Sequence, residues 1–356
     1  MLRLLILAAA CLTLIPRTQP MATGGHFEIQ KLADGVYASV RTEPAGLGVD
    51  ANNLFIIDDE GVVVVDTNFG ATSTREVIAA LKTITTKSVT RVVNTHWHDD
   101  HVLGNQAYRD AYPGVQFIAH AATKEYLPTK GAAARKAQVE SLPGFAASLR
   151  QSIAEKKNLR GGAITGEELA GFTSDLRMID AYLKDAPSFD VVLPTIAVTE
   201  PLTMKRGQRT IEILPLGRGH TAGDIVLHLP QDGIVATGDL VVAPIPLVGG
   251  DQSHVTEWSA TLEKIVALRP RIIVPGHGPV MRDMNYVNKM SQLFADITQR
   301  TKDAVARGET LDQARKSVDL TDWKTRFAGE SSLKMFLFDN YVTGPAITSA
   351  YRAIKP

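Results

Sequence analysis

Thr95-His96-Trp97-His98-Asp99-Asp100-His101 gathers three imidazoles and two carboxylates directly behind Val89–Val93, an apolar run that reads as a buried strand. The pattern is His-x-His-x-Asp-His. Its ligand-type groups are too crowded for one small ion, because adjacent Asp100 and His101 are expected to leave the backbone in different directions. Two ions solve that geometry. His96 and His98 alternate along an extended loop and serve one, while Asp100 and His101 reach the other. Imidazole and carboxylate without thiolate suit zinc, and iron, cobalt or manganese accept the same donors.

Three further contexts supply the missing partners, and each follows a β-like run. Gly217-Arg218-Gly219-His220-Thr221 offers His220 to complete a three-histidine set. Ala236-Thr237-Gly238-Asp239-Leu240 offers Asp239, whose two oxygens can bridge the metals. Pro275-Gly276-His277-Gly278-Pro279 offers His277 to join Asp100 and His101. Glycine surrounds these positions, as expected where backbone turns tightly beside a ligand cluster. Asp99 reads as a non-ligand that supports the site or faces solvent. His26, His120, His228 and His254 lack such contexts and read as ordinary surface or core residues.

Outward from these motifs the chain alternates β and α signals. Val36–Val40, Ala51–Ile57 and Gly61–Asp66 are short apolar runs, the last two joined by the turn signal Asp58-Asp59-Glu60-Gly61. Ser73–Lys82 has helical spacing with Ser73 as N-cap. Ala121–Lys184 is rich in Ala, Lys, Glu, Gln and Leu and predicts a helical insertion, divided at Pro143-Gly144 and Gly161-Gly162. Strand signals return at Val191–Val198, Thr210–Leu214, Ile225–Leu229, Ile234–Thr237 and Arg271–Val274. Helices are predicted over Thr256–Leu268 and Asn285–Val305, with a helical tail over Ser331–Ile354. The organisation is therefore α+β: a main domain over 27–284 carrying the insertion at about 121–184, and a helical C-terminal extension over 285–356.

Composition narrows the function. The 356 residues carry 38 Lys+Arg against 38 Asp+Glu, so a nucleic-acid binder held by bulk charge is excluded. A single cysteine excludes a disulfide framework within the chain and a thiolate-rich zinc finger. The partner expected is a small-molecule substrate. At the amino terminus, Arg3 precedes an apolar run from Leu4 to Ile15 that is broken by Pro16. That layout predicts a signal peptide over 1–22, a periplasmic or secreted protein, and no membrane span once the leader is removed. A start at Met21 would instead leave a cytoplasmic protein.

The four motifs together resemble the metallo-β-lactamase superfamily over Val36 to Val280. The resemblance implies an αβ/βα four-layer sandwich with two metals at one sheet edge. It implies His96, His98 and His220 as one site, Asp100, His101 and His277 as the other, and Asp239 as the bridge. The β-lactamase branch with a cysteine ligand matches poorly, since Asp239 stands at that position and Cys11 lies in the leader. The histidine-rich β-lactamase branch shares His101 but usually lacks the bridging aspartate. The pattern looks more like the broad hydrolase type that includes glyoxalase II and lactonases.

On this reading two zinc ions about 3.5–4 Å apart hold a hydroxide at neutral pH, and Asp100 orients it for attack on an amide or ester carbonyl. β-Lactams and lactones are candidate substrates. A thioester hydrolase of the glyoxalase II kind is the alternative, although residues 285–356 show no basic glutathione-binding tail. An iron-dependent oxidoreductase acting on a sulfur compound would need a reduced ligand set, and a silent binding protein would lack a ligand. Neither fits seven complete ligands.

Overall fold

A computed structural model describes residues 26–355; the leader expected over 1–22 lies outside the described residues. Two sheets stack face to face. The first runs in the spatial order β1 (Phe27–Ala33), β2 (Val36–Arg41), β3 (Asn53–Asp58), β4 (Gly61–Val65), β5 (Val89–Val93), β6 (Gln116–His120) and β7 (Ile196–Val198). Strands β1 to β4 form an antiparallel meander, and β4 to β7 are parallel. The second sheet has the order β12 (Ile272–His277), β11 (Ile234–Val242), β10 (Val226–Leu229), β9 (Arg209–Leu214), β8 (Leu202–Arg206). Only β11 and β12 run parallel within it.

Strand β4 shows why helices must flank both sheets. All five residues of Gly61–Val65 are buried. Because side chains alternate, Val63 and Val65 enter the core between the sheets, where Ile213, Leu227 and Val274 meet them. Val62 and Val64 point outward, under Val77, Ile78 and Leu81 of α1 (Ala71–Ile84). The outer face of the second sheet is covered by α7 (Val255–Ala267), α8 (Asn285–Ala306) and the C-terminal helices α9 (Leu311–Ser317), α10 (Thr321–Ala328), α11 (Ser332–Phe338) and α12 (Gly344–Ile354). The result is the expected αβ/βα sandwich. Among the described residues, no helix is long and apolar enough to cross a membrane.

The insertion comprises α4 (Ala121–Tyr126), α5 (Ala132–Glu155) and α6 (Gly166–Asp185). The break expected at Pro143-Gly144 is absent: α5 runs through Pro143. Proline removes one helical hydrogen bond, but Leu142, Ala146 and Leu149 keep the helix seated on both sides of it. Gly161 does turn the chain, at a φ of 85°. Ser73 is not the cap of α1. The helix begins at Ala71, and its first turn is tied by Asp185 at the far end of α6, which accepts from Thr72 N at 2.8 Å and Thr72 Oγ1 at 2.7 Å. The strand expected over Val191–Val198 shrinks to Ile196–Val198, since Pro194 has no N–H to donate.

Candidate metal centre

The motif after β5 changes backbone type partway along. His98 is extended, with ψ at 149°, and Asp99–Val102 then closes one helical turn, α2. Residues before that switch point to one side of the cluster and residues after it to the other. The divergence expected between Asp100 and His101 is not what separates the two sets. In the helical turn these neighbours converge, with Asp100 Oδ2 3.3 Å from His101 Nε2. His220 arrives from the loop after β9, pinned by Asp224, which accepts from the backbone N–H groups of Gly219 and Thr221. Asp239 sits within β11 and His277 ends β12.

All seven residues predicted from sequence therefore meet. His96, His98, His220 and Asp239 form one group and Asp100, His101 and His277 another, the ligand atoms within each group lying within 4.8 Å of one another. Asp239 reaches both sides. Its Oδ1 is 3.2 Å from His101 Nε2 and 3.2 Å from His277 Nε2. Its Oδ2 is 3.4 Å from His220 Nε2 and 4.0 Å from His96 Nε2.

The hydrogen bonding of the imidazoles tests whether cations fit here. Each ring has one nitrogen held from outside and the other turned inward. His96 Nδ1 meets Thr95 Oγ1 at 3.1 Å, His101 Nδ1 meets Asp66 Oδ2 at 2.8 Å, and His277 Nδ1 meets the carbonyl of Asp50 at 3.1 Å. His220 Nδ1 meets the carbonyl of Leu247 at 3.0 Å, and His98 uses Nε2 on Gln252 Oε1 at 3.1 Å. The inward nitrogens of His96, His101 and His277, with Asp100 Oδ2 and Asp239 Oδ1, are buried and lack hydrogen-bond partners. Burying such atoms costs free energy unless something else satisfies them. Outer contacts that fix the ring and free the opposite nitrogen are the arrangement metal-ligating histidines use. The donor set fits divalent cations.

Charge divides the two groups. Burial, with the nearby His101 and His98, drives His96 well below the ordinary histidine range. Burial likewise pushes His220 down to about 3 and lowers His98. On the other side burial is overcome: Asp239 and Asp100 carry His277 up to about 10, and Asp100, Asp239 and Asp66 raise His101 well above its ordinary value. Burial would raise the Asp100 and Asp239 carboxyls, but His101 and His277 hold both well below the usual range.

Several supporting residues escape sequence reading. Asp66 looks like a strand end, yet its carboxylate accepts from Thr95 N at 2.7 Å, from Thr95 Oγ1 at 2.8 Å and contacts His101. Its φ of 56° is unusual for a residue with a side chain. Asp50, Gln252 and the carbonyl of Leu247 were equally silent in sequence. Asp99 stays out of both ligand groups and binds Arg135 at 2.6 Å and Tyr182 Oη at 2.8 Å, which fastens α5 and α6 to the ligand loop. Trp97 packs inward, edge-on to His98 with ring centroids 4.5 Å apart. His120 accepts from Ala122 N at the start of α4, and His228 pairs with Glu212 at 2.9 Å; neither joins the cluster.

A cavity of about 310 Å³ opens onto His98, Asp100 and Asp239. A larger one, about 810 Å³, touches the cluster only through His277. Contact with both groups makes the smaller cavity the candidate reaction chamber.

Two stacked sheets flanked by helices, with a histidine and aspartate cluster at their shared edge, define a metal-dependent hydrolase class. The match to the family model of the metallo-beta-lactamase superfamily spans residues 47–277, more than half of the chain, and the chain belongs to that superfamily. Its relatives include a metallo-beta-lactamase type 2 of Bacillus cereus, 26% identical over 263 residues that cover 72% of this chain and 78% of that protein. Another is a linear primary-alkylsulfatase of a Pseudomonas species, 23% identical over 274 residues, 73% of this chain; the chain spans about half of that relative's length, 48%. Among solved structures, a metallo-beta-lactamase from Erythrobacter litoralis superposes with a TM-score of 0.52 at 17% identity, covering 78% of this chain and 99% of that one. One from Pontibacter korlensis gives 0.50 at 19%, covering 75% and 98%. At such identities these two structures speak for the fold alone.

Proposed function

We propose that this protein is an exported binuclear zinc hydrolase that opens an amide or ester carbonyl, with β-lactams and lactones as candidate substrates. The observation that carries this reading is the convergence of ring nitrogens and carboxylate oxygens in two adjoining groups, with the inward atoms of His96, His101, His277, Asp100 and Asp239 left without hydrogen bonds. His96, His98 and His220 would hold one ion, Asp100, His101 and His277 the other, and Asp239 would serve both. Two such ions, when bound, supply Lewis acidity toward a carbonyl oxygen and lower the pKa of a coordinated water to about 7. Asp100 has the one ligand carboxylate that is partly exposed, at 17%, and it faces the chamber, where it orients the attacking water. Asp239, at 3%, is buried between the two groups, where it would hold both ions. No serine or cysteine nucleophile is needed. The same groups would open a thioester, and the bridging position of Asp239 supports that alternative. Export rests on the apolar leader from Leu4 to Ile15.

Metal analysis of protein purified without added metal is expected to give about two zinc per chain, and a single iron would overturn the assignment. Nitrocefin, an acyl lactone, a glutathione thioester and an alkyl sulfate, assayed side by side, test the reaction. The alkyl sulfate belongs in the panel because of the alkylsulfatase likeness. Turnover of a carbonyl compound supports the reading. Two zinc ions with no carbonyl turnover would refute it. Cell fractionation tests export.

A further inference from the structure

The chamber that opens onto His98, Asp100 and Asp239 is walled for the most part by apolar groups. Leu47 and Phe69 line it from the sandwich, Leu142 and Phe145 from α5, and Met178 and Ile179 from α6. Helix α5 explains why this wall exists. Only Ala146 and Leu149 are buried along its 24 residues, while Leu142 and Phe145, one turn apart on the same face, stay half-buried and look into the chamber. That face is apolar without being packed shut. The charged groups lining the chamber are all acidic: Asp99, Asp100 and Asp239. Among the described lining residues there is no lysine or arginine. Arg135, whose guanidinium lies against Asp99 of the lining, is bound to it. An anionic group at the far end of a substrate would find no partner there and would lose its hydration on entry.

We infer that the site takes a substrate whose reacting group carries a neutral, apolar acyl or alkyl chain, and that Leu142 and Phe145 of the insertion set the preference for that chain. The inference rests on the hydrolase reading and selects within it. Chain-bearing lactones and esters are favoured over a β-lactam with its obligatory carboxylate.

The test uses the metal-loaded full chain and butanoyl, hexanoyl and octanoyl homologues of one lactone. If each added methylene is buried against the wall, kcat/KM should rise by about threefold to fourfold per methylene until the chamber is full. Leu142→Ala and Phe145→Ala, both at half-buried positions, should flatten that slope by lowering the octanoyl value more than the butanoyl value. Calorimetry with 2-decanone, a neutral chain with a carbonyl and no leaving group, reads binding without turnover. It should bind the parent protein and bind both variants more weakly. Turnover with a flat series, or faster turnover of anionic nitrocefin than of the octanoyl lactone, would overturn the inference while leaving the hydrolase reading intact. Binding of 2-decanone that both variants weaken, without turnover of any carbonyl compound, would keep the inference and sink the reaction assigned to the site. No ketone binding together with a flat series would end it outright.

Discussion

The His96, His98 and His220 side of the cluster and the Asp100, His101 and His277 side share Asp239 but stand on opposite electrostatic footings. On the first, burial and repulsion from neighbouring rings keep the imidazoles neutral, and His98 Nδ1 meets His220 Nε2 at 2.9 Å. On the second, carboxylates hold their imidazoles protonated. A cation entering the first side displaces little. A cation entering the second must expel protons from His101 and His277, so its affinity carries the steeper pH dependence. One cluster thus contains a ready-made site and one that has to be exchanged into existence.

Removing what the two sides share should have the largest effect. Asp239→Ala is expected to lower metal content on both sides and cut activity by more than the about hundredfold typical of losing an outer contact; atomic absorption that still finds two ions per chain would break the bridging assignment. Changing each side's outer support should then separate them. Asp66→Ala frees the His101 ring and should weaken one ion by about tenfold to a hundredfold. Gln252→Ala, on His98, should weaken the other by about tenfold. Competition with a graded chelator reads both, and equal loss of both ions in either variant would deny that the sides are distinct.

The third expectation concerns metal-stripped protein and follows from the signs of the shifts. His220 falls from 6.5 to about 3 in the fold, so its contribution is whole above 6.5 and is lost as pH drops from there toward 3. His277 rises from 6.5 to about 10, so its contribution is whole below 6.5 and is lost as pH climbs toward 10. Thermal melts should show a maximum near neutrality, with the acid limb governed by the first side and the alkaline limb by the second. His277→Gln should shallow the alkaline limb and, by releasing Asp100 and Asp239 toward the ordinary carboxyl range, lower stability along the acid limb as well. The smallest effect belongs to Asp99→Ala, which leaves Arg135 and Tyr182 unpaired. It should lower stability by about 1–3 kcal/mol, read from denaturant melts, with both ions retained.

The two groups also differed in how far sequence revealed them. His96, His98, Asp100 and His101 were legible because four donors crowd into six residues. His220, Asp239 and His277 each stand alone and were legible as glycine-flanked contexts behind β-like runs that supply the partners the first motif lacks. Gly276 shows the reason: a Cβ there would lie 2.0 Å from Asp239 Oδ1. The outer partners had no such signature. Asp66, Asp50 and Gln252 reach the cluster from separate loops, and only three-dimensional proximity gives them a role. In the fold, β4 was legible from its run of valines, whereas α9 was overlooked despite Thr310 and Gln313, whose reciprocal capping contacts start it. The start of α1 was misread because its tie, Asp185, lies 113 residues away.

That distant tie has a consequence for anyone who would exchange this insertion for another. Helix α6 ends by holding the first turn of α1, and less than one turn earlier its Tyr182 holds the loop that bears His98 and Asp100. These two ties of the insertion to the body lie apart, and only the one through Tyr182 is near the chemistry. A cassette swapped in to change the chamber wall would have to bring an acid for Thr72 and a hydroxyl for Asp99, or the transplant would loosen the back of the molecule while reshaping its front.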